Sequence, residues 1–539
     1  MSFRLNNSQQ MSMFDSFTGL TPREQKALDK SWAKVFGDEI FPQINEEPFR
    51  VLYSGNAASA PNTPANILIA AMIIKELFNA SDDEMVENLM LDIRYQYAMH
   101  TTSFEEQPLS DKSLSRFRSR CYDHERLTGE DLLHDAIKNL GEITARLMKI
   151  DGRIRRMDST MIDSNIRKLS RTELLYRCIA KLVIYLHKNG HDDRIVFLEH
   201  YYDPNDFNNV IYHSRSTELD ETIAMLLRDA DRLLLSCGND FEEVTEYQLL
   251  VRCLAEQTIV EDQVRRLRTK EDGGMDSSIM QSPCDPDATY REKAGTQHRG
   301  YVANLEESVG SNGSVVTDYQ FEQNNTSDSA MLKEHLNDMP EQESPVTLIT
   351  DGAYSGTENK ELAASKNIEL VSTDLTGRDV DPVWGGFPFN EDGTEVTGCP
   401  AGHTPKSCSY NPSTGMCRVS FTRNQCEHCP WRTHCKPKIY KRVAVLMIGV
   451  KMKQRALSQA EMETERHKLL ARIRNGVETI PSILKNQYHA DKMHGIRGKI
   501  RTKFFFGCKI GALNFKKLFR YRNGTGHYAP NPLLIGEMA

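Results

Sequence analysis

The nine residues Leu348–Gly356, LITDGAYSG, decide which fold this chain of 539 residues is expected to adopt. An apolar run that begins at Val346 stops at Asp351 and is followed by the small residues Gly352 and Ala353. A short apolar run of this kind is typical of a buried strand. Small neighbours let a metal ion or a phosphate approach the backbone. The stretch therefore predicts a carboxylate site at the end of a strand.

Two further acids occupy comparable places. Asp158 lies in MDST after the weaker run RIRRM, and Glu478 lies in ARIRNGVETIPSILK, which is predicted to be a basic helix. Three acids from distant strands and a helix can hold two divalent metal ions, and two metals can cut and join phosphodiesters. Asp163 competes with Asp158, because residues five apart in an extended strand point to opposite faces.

The order of predicted elements indicates the fold class. From Asp158 onward the chain reads as strand, helical insertion, two strands, helix, strand, helix and strand, which predicts an α/β (α+β) fold with a mixed sheet and helices. The predicted segments are a flexible N-terminus (1–21), a helical N-terminal DNA-binding domain (22–150), the α/β core (151–169 and 276–375), a helical insertion (170–275), a cysteine-rich insertion (376–440), C-terminal core helices with a basic surface (441–525) and a tail (526–539). The longest apolar stretch, residues 67–74, is too short to cross a membrane, so we expect a soluble, cytoplasmic chain.

The charge distribution favours a nucleic-acid partner. The net charge is −8, yet residues 436–522 contain 22 Lys and Arg against 5 Asp and Glu. Such a tract attracts phosphate whatever the charge of the whole chain; the alternative is a solvated helical surface. In the N-terminal helices, exposed arginines favour DNA binding and internal packing equally. The candidate DNA-binding residues are Arg474, Lys485, Arg116, Arg118, Arg497, Lys499 and Arg501.

The predicted helix around Glu478 brings two of these cations close to the acid. Arg474, Glu478 and Lys485 are separated by four and seven residues, so in one continuous helix they project within about 40° of each other. Pro481 is predicted to kink or restart the helix, because proline removes a backbone donor. If the helix breaks there, Lys485 need not share the face.

Cysteines cluster in one part of the chain. There are twelve, and half of them lie between residues 399 and 435. In a cytosolic chain such clustering suggests a metal before disulfides. Cys426-x-x-Cys429 is a half-site for tetrahedral Zn²⁺, and the alternative is a set of reduced cysteines packing a small loop-rich insertion. The candidate zinc ligands are Cys399, Cys408, Cys417, Cys426, Cys429 and Cys435.

Together these motifs resemble the DDE transposases of bacterial insertion sequences, in the group with a Y-(2)-R-(3)-E-(6)-K signature. This chain reads Ala471-(2)-Arg474-(3)-Glu478-(6)-Lys485, with alanine at the tyrosine position. The DST after Met157 and the DGAY that begins at residue 351 are similar to the first and second acid motifs of that group, and cysteine-rich insertions occur in some of its members. The resemblance covers roughly residues 70–520.

The resemblance implies an RNase H-like catalytic domain. It implies Asp158 rather than Asp163 as the first acid, with Asp351 and Glu478 completing a site for two Mg²⁺ ions, for which Mn²⁺ can substitute. It further implies that Arg474 and Lys485 hold phosphates of double-stranded DNA at the terminal inverted repeats, that target DNA is bound, and that a homodimer forms in the synaptic complex. A nucleoid-associated cytoplasmic location follows.

Two other functions fit the same residues. One is an RNase H-like nuclease that cleaves without strand transfer. The other is a non-enzymatic, domesticated DNA-binding zinc protein, against which an intact set of acids argues. His298 and Lys293 are interpreted as parts of a loop that leads into a strand, without a catalytic role.

Overall fold

The structure is a computed structural model that describes residues 1–525 except 7–16, 57, 104–105, 111, 213–218, 294 and 374–378. The predicted tail (526–539) and half of the predicted flexible N-terminus lie outside the described residues. Within the described part of that N-terminus, Ser2 is buried and its N–H donates to the carbonyl of Ala60 at 2.9 Å. The first residues are therefore attached to the helical part that follows.

The described chain divides into two compact units. The first consists of Met1–Gly152, Asp158–Met331 and 479–525, and the second of Arg153–Met157 and Leu332–Glu478. These two units do not correspond one to one with the seven segments predicted from the sequence. The predicted segment boundaries therefore stay a prediction.

Helices make up the N-terminal part of the first unit, as predicted. Helix α3 (Ala65–Phe78) is apolar on all sides, and every residue from Ala65 to Ile74 is buried, because α3 packs within the helical core instead of presenting one face to water. No helix among the described residues is both long and apolar enough to cross a membrane. The helices are α1 (Pro22–Asp29), α2 (Trp32–Val35), α3 (Ala65–Phe78), α4 (Asp82–Leu91), α5 (Ile93–Ala98), α6 (Ser113–Thr128) and α7 (Leu132–Leu147).

A helical insertion follows the first strand, and it has a hydrophobic core of its own. Its first helix begins with a capping box in which Ser170 and Glu173 satisfy each other's backbone N–H groups. A small antiparallel hairpin, which the sequence did not predict, ends the insertion. The elements are α8 (Arg171–Lys188), α9 (Asp206–Ile211), α10 (Leu219–Cys237), α11 (Thr245–Gln257), β2 (Thr258–Glu261) and β3 (Val264–Leu267).

The main sheet is mixed, with strand order β4-β5-β1-β7-β8 and β6 beside β5. The predicted pair of strands joined by a Gly/Asn/Ser turn is the antiparallel hairpin β5–β6. Strands β1, β7 and β8 run parallel where they pair. The strands are β1 (Ile154–Asp163), β4 (Thr289–Lys293), β5 (Thr296–Gly310), β6 (Gly313–Gln323), β7 (Val346–Thr350) and β8 (Ile368–Ser372).

Parallel strands and their covering helices form the core of the second unit. Helices α12 (Asp328–Asp338) and α13 (Thr357–Ser365) alternate with β7 and β8, and buried Leu348, Leu336 and Tyr354 share one cluster. Strands that alternate with helices, beside a helical N-terminal part, confirm the predicted α/β (α+β) class.

The cysteine-rich segment forms a small antiparallel sheet, where the sequence suggested a loop-rich insertion. Its strand order is β11-β12-β10-β9, and its core includes Phe387, Phe421 and Leu446. The sheet extends past the predicted end at residue 440, because β12 supplies both the central pairing and apolar side chains. The elements are β9 (Ser407–Asn411), β10 (Met416–Thr422), α14 (Arg423–Glu427), α15 (Arg432–Cys435), β11 (Lys438–Ile439) and β12 (Val443–Ile448).

Four helices complete the described chain: α16 (Val450–Met462), α17 (Glu465–Asn475), α18 (Thr479–Tyr488) and α19 (Lys499–Arg522). A 3₁₀ turn at Gly476–Glu478 separates α17 from α18. The chain therefore restarts as a new helix, as Pro481 suggested, and Pro481 lies in the first turn of α18, where a missing N–H is tolerated. Glu478 lies on the turn, which corrects its predicted place within a helix.

Candidate active site

Asp351 lies where the sequence placed it, directly after β7. It caps a one-turn 3₁₀ helix, Gly352–Tyr354, and its Oδ1 accepts a hydrogen bond from the N–H of Ala353 at 2.9 Å. Buried Tyr354 anchors that turn in the core of the second unit. The local sequence thus fixes the carboxylate at the end of a buried strand.

Arg474 joins Asp351 to Glu478. Its Nη2 lies 3.7 Å from Asp351 Oδ2, and its Nη1 lies 3.3 Å from Glu478 Oε1. The Arg474 side chain is 15% exposed, whereas that of Glu478 is 66% exposed. The structure therefore brings together three of the residues predicted from sequence: two acids, and one cation that contacts both.

Helix α17, which carries Arg474, is fastened to the edge of β8. Arg466 makes two hydrogen bonds to the carboxylate of Glu369, at 2.8 and 2.6 Å, and they lower the pKa of Glu369. Buried His467 contacts the carbonyl of Ser372 through Nε2 at 2.9 Å. These contacts hold α17 against the parallel strands and thereby set the position of Arg474.

Arg156 is a positioning residue that the sequence reasoning missed. It lies on β1 opposite Ile349 of β7, is buried, and donates from Nη1 to the carbonyl of Ile473 at 2.6 Å. A Cβ on Gly476 would lie 2.2 Å from the same nitrogen. The signal in the sequence was an arginine-rich strand, RIRRM, together with a glycine two residues before Glu478.

Asp158 differs from its predicted place. It lies in the middle of β1 and not at a strand end, because β1 continues to Asp163, whose N–H donates to the carbonyl of Asp491 at 2.7 Å. The half-buried carboxylate of Asp158 accepts a hydrogen bond from the N–H of Ser159 at 2.9 Å. Asp158 belongs to the first unit, and its role as a metal ligand stays a prediction.

Asp163, the rival of Asp158, pairs with His298. The distance from Asp163 Oδ1 to His298 Nδ1 is 3.1 Å. His298 lies on β5 and Lys293 ends β4, so the prediction that both residues belong to a loop is wrong: the segment forms an antiparallel pair of strands. The contact with His298 accounts for the position of the Asp163 carboxylate, and the choice between Asp158 and Asp163 stays a prediction.

Apart from Arg474, the predicted DNA-binding cations fall into two groups. Arg118 and Lys499 make close ion pairs, with Asp82 at 2.5 Å and Glu322 at 2.6 Å, and the Arg118 side chain is 13% exposed. These contacts favour a structural role for Arg118. The exposed group comprises Arg116, Lys485, Arg497 and Arg501.

Exposure leaves these four cations within reach of a phosphate, although some also have contacts. Lys485 lies 3.6 Å from Asp491 on an exposed helix turn, and Arg497 donates to the carbonyl of Asn165 at 3.0 Å. Arg501 lies over the ring of Tyr122 at 5.8 Å. Lys485 is on α18 and not on the helix of Arg474, so the single continuous face is not formed.

The six clustered cysteines are divided by the small sheet. Cys408 and Cys417 lie on its strands β9 and β10. The other four line one pocket together with His403; they are Cys399, Cys426, Cys429 and Cys435. Burial and the neighbouring thiols raise the pKa of Cys435 to about 12.

No metal-binding arrangement is preformed in the part of the chain that the structure describes. There, no three His, Cys, Asp or Glu side chains are already placed to hold a metal ion. Any metal site formed by the acids or by the cysteines would require side chains to turn toward one point.

Two models of known protein families match parts of this chain. The mixed α/β fold with a helical N-terminal part is consistent with an RNase H-like DDE domain. A model of the transposase DDE domain matches residues 398–519, and a model of a transposase domain (DUF772) matches residues 26–120. These matches support a DDE transposase of the insertion-sequence type. Neither a curated protein nor a solved structure matches the chain.

The matched ranges include part of the site. The DDE match begins one residue before Cys399, contains Arg474 and Glu478, and ends within α19, whereas Asp158 and Asp351 precede it. The second match covers α2 to α5 and the first half of α6, including Arg116.

Proposed function

We propose that this protein is a DNA transposase that binds transposon ends and catalyses metal-dependent strand cleavage and strand transfer. The observation that carries the proposal is the contact of Arg474 with both Asp351 and Glu478. The two transposase matches support the class, and the basic tract 436–522 supports a DNA partner.

The acids fit the metal ion that such chemistry uses. Carboxylate oxygens are hard donors that suit Mg²⁺ or Mn²⁺. Asp351 and Glu478 are the proposed ligands, with Asp158 as the third. Bound divalent ions would activate the attacking hydroxyl and stabilise the leaving oxygen of the phosphodiester.

Arg474 would serve two purposes in this proposal. In the metal-free protein its guanidinium balances the charge of two neighbouring carboxylates. If the carboxylates held a metal ion, the planar guanidinium of Arg474 could turn to a DNA phosphate and hold it by two parallel hydrogen bonds. Lys485, on a separate helix, would contribute a single exposed charge.

DNA binding would use the exposed cations. Arg116, Lys485, Arg497 and Arg501 are the proposed contacts with phosphates of the terminal inverted repeats and of the target. Joining two ends to one target requires both ends in one complex, for which a homodimer is the simplest arrangement. The protein would then act in the cytoplasm, in association with the nucleoid.

A strand-transfer assay tests the function. Labelled DNA carrying the inverted repeats that flank the gene is incubated with a plasmid target and Mg²⁺. We expect both cleaved ends and joined products with the wild type, and neither with Asp351→Asn or Glu478→Gln. The matched control is Glu361→Gln, an exposed acid on α13, which should retain activity.

The outcomes separate the competing functions. Cleavage without joined products would identify a nuclease. Binding of the ends without cleavage, unchanged by Asp351→Asn, would identify a non-enzymatic DNA-binding protein. Full activity of Asp351→Asn would refute the assignment of the active site.

A further inference from the structure

The segment 423–437 of the small sheet lacks the burial that normally holds a folded segment in place. None of its residues is buried, and its two helices, α14 and α15, have five and four residues. Isolated helices of this length are not stable in water, because nucleation costs more than a single turn returns. The segment is attached through polar contacts, such as Arg423 N–H to the carbonyl of Arg442 at 3.3 Å, and through the partly buried Cys426 and Cys435. A further attachment would stabilise it.

Four thiols lie where such an attachment is needed. Cys426 lies in α14, Cys429 follows it by two residues, and Cys435 is the last residue of α15. Three of the four thiols therefore belong to segment 423–437. Cys399 comes from outside it, from a tight turn closed by two backbone hydrogen bonds, in which Cys399 N–H donates to His403 at 3.1 Å and Gly402 N–H donates to Cys399 at 2.8 Å. All four thiols line the same pocket.

The other two cysteines of the cluster have different surroundings. The sulfur of Cys408 accepts a hydrogen bond from the N–H of Val396 at 3.4 Å. The thiol of buried Cys417 donates to the carbonyl of Thr394 at 3.2 Å. Neither lines the pocket, so the six candidates from the sequence reduce to four.

We propose that Cys399, Cys426, Cys429 and Cys435 form a structural Zn²⁺ site that fastens segment 423–437 to the small sheet. Four thiolates are the donor set that Zn²⁺ takes in closed, tetrahedral structural sites, and soft sulfur donors disfavour Mg²⁺. The site closes when the thiol side chains turn toward one point, each losing its proton. It is independent of the proposed DNA chemistry, whose acids supply oxygen donors.

His403, whose imidazole could also bind Zn²⁺, lines the same pocket. Its carbonyl already closes the turn that carries Cys399. The proposal assigns the fourth position to Cys399 and leaves His403 out of the coordination shell.

Metal content of the purified chain tests the site. After expression with added zinc and purification under reducing conditions, elemental analysis should find about one zinc per chain. The Cys429→Ser protein should contain little zinc. The matched control Cys408→Ser should contain as much zinc as the wild type, and so should His403→Ala. No zinc in the wild type, iron in its place, or equal loss in Cys408→Ser would overturn the assignment.

A second measurement covers the case in which Cys429→Ser does not fold. Wild-type protein stripped with a chelator and reloaded with Co²⁺ should show the intense visible absorption of a tetrahedral thiolate site. Trypsin should cut after exposed Arg423 or Arg432 faster in the stripped protein than in the zinc-loaded protein. Absence of the Co²⁺ absorption, or identical cleavage rates, would contradict the proposal.

Discussion

Gly476 leaves open the space that the guanidinium of Arg156 occupies, since a Cβ on Gly476 would lie 2.2 Å from Arg156 Nη1. That nitrogen donates to the carbonyl of Ile473 in the last turn of α17, which also accepts a hydrogen bond from the N–H of Gly476. Because β1 pairs with β7, the contact ties the strand that leads to Asp351 to the turn that carries Glu478.

Gly476→Ala should therefore displace Arg156. The buried guanidinium of Arg156 would lose its hydrogen bond to the carbonyl of Ile473, and a hydrogen bond that involves a charged group contributes about 1.5–3 kcal/mol to the free energy of unfolding. Urea unfolding followed by circular dichroism measures the change. Gly55→Ala is the control, because a Cβ there meets nothing within 4 Å. Equal stability of the two variants would show that the close approach is not required.

Arg474→Lys should impair cleavage more than DNA binding. A lysine is a point charge and cannot contact two carboxylates and then hold a phosphate by two parallel bonds. Loss of one charge-assisted hydrogen bond in the transition state corresponds to a decrease in cleavage rate of about ten- to a hundredfold. Single-turnover cleavage at saturating DNA measures the rate. Arg472→Lys, an exposed neighbour on α17, is the control, and a similar loss there would contradict the specific role.

The sequence correctly predicted the positions of site residues that are fixed by interactions with their near neighbours in the chain. Asp351 follows an apolar run and caps its own turn through Ala353, so its position was predictable. The four-residue spacing of Arg474 and Glu478 predicted that their side chains lie close together. They do, although α17 ends between them. A 3₁₀ turn in that place preserves the contact.

Sequence was insufficient where distant segments decide the outcome. Asp158 was expected at a strand end, but β1 continues beside β5 to Asp163, whose N–H donates to the carbonyl of Asp491, far along the chain. The position of the Arg156 side chain depends on the space left by Gly476, which is 320 residues further along the chain. Neither pairing leaves a periodic pattern in the chain, so propensity and spacing could not reveal it.

The exposed cations predict the salt dependence of DNA binding. Arg497→Gln and Arg501→Gln should each weaken binding to all sequences and reduce the slope of log affinity against log salt by about one, because each removes one phosphate contact. Fluorescence anisotropy at several salt concentrations measures the slope. Lys333→Gln on α12, whose lysine pairs with Glu358 at 2.5 Å, is the control. An unchanged slope in both arginine variants would remove them from the interface.

A histidine in the first unit links stability to pH. His134 Nε2 lies 2.9 Å from Asp318 Oδ1, and Asp318 also pairs with Lys138. Burial lowers the pKa of His134, but hydrogen bonds with Asp135 and Asp318 outweigh burial and raise this pKa to about 9. The folded state therefore binds a proton more tightly than the unfolded state, whose histidine has a pKa of about 6.5.

The stabilisation by protonated His134 should be complete below about pH 6.5 and should be lost as the pH rises through about 9. His134→Gln should lower the free energy of unfolding by about 2 kcal/mol at pH 6, and by much less at pH 9.5. Urea unfolding of both proteins at pH 6, 7.5 and 9.5 measures the difference. His494→Gln, at an exposed position, should show no such trend. A difference between wild type and His134→Gln that stays constant with pH would mean that His134 acts through packing and a neutral hydrogen bond instead of through its charge.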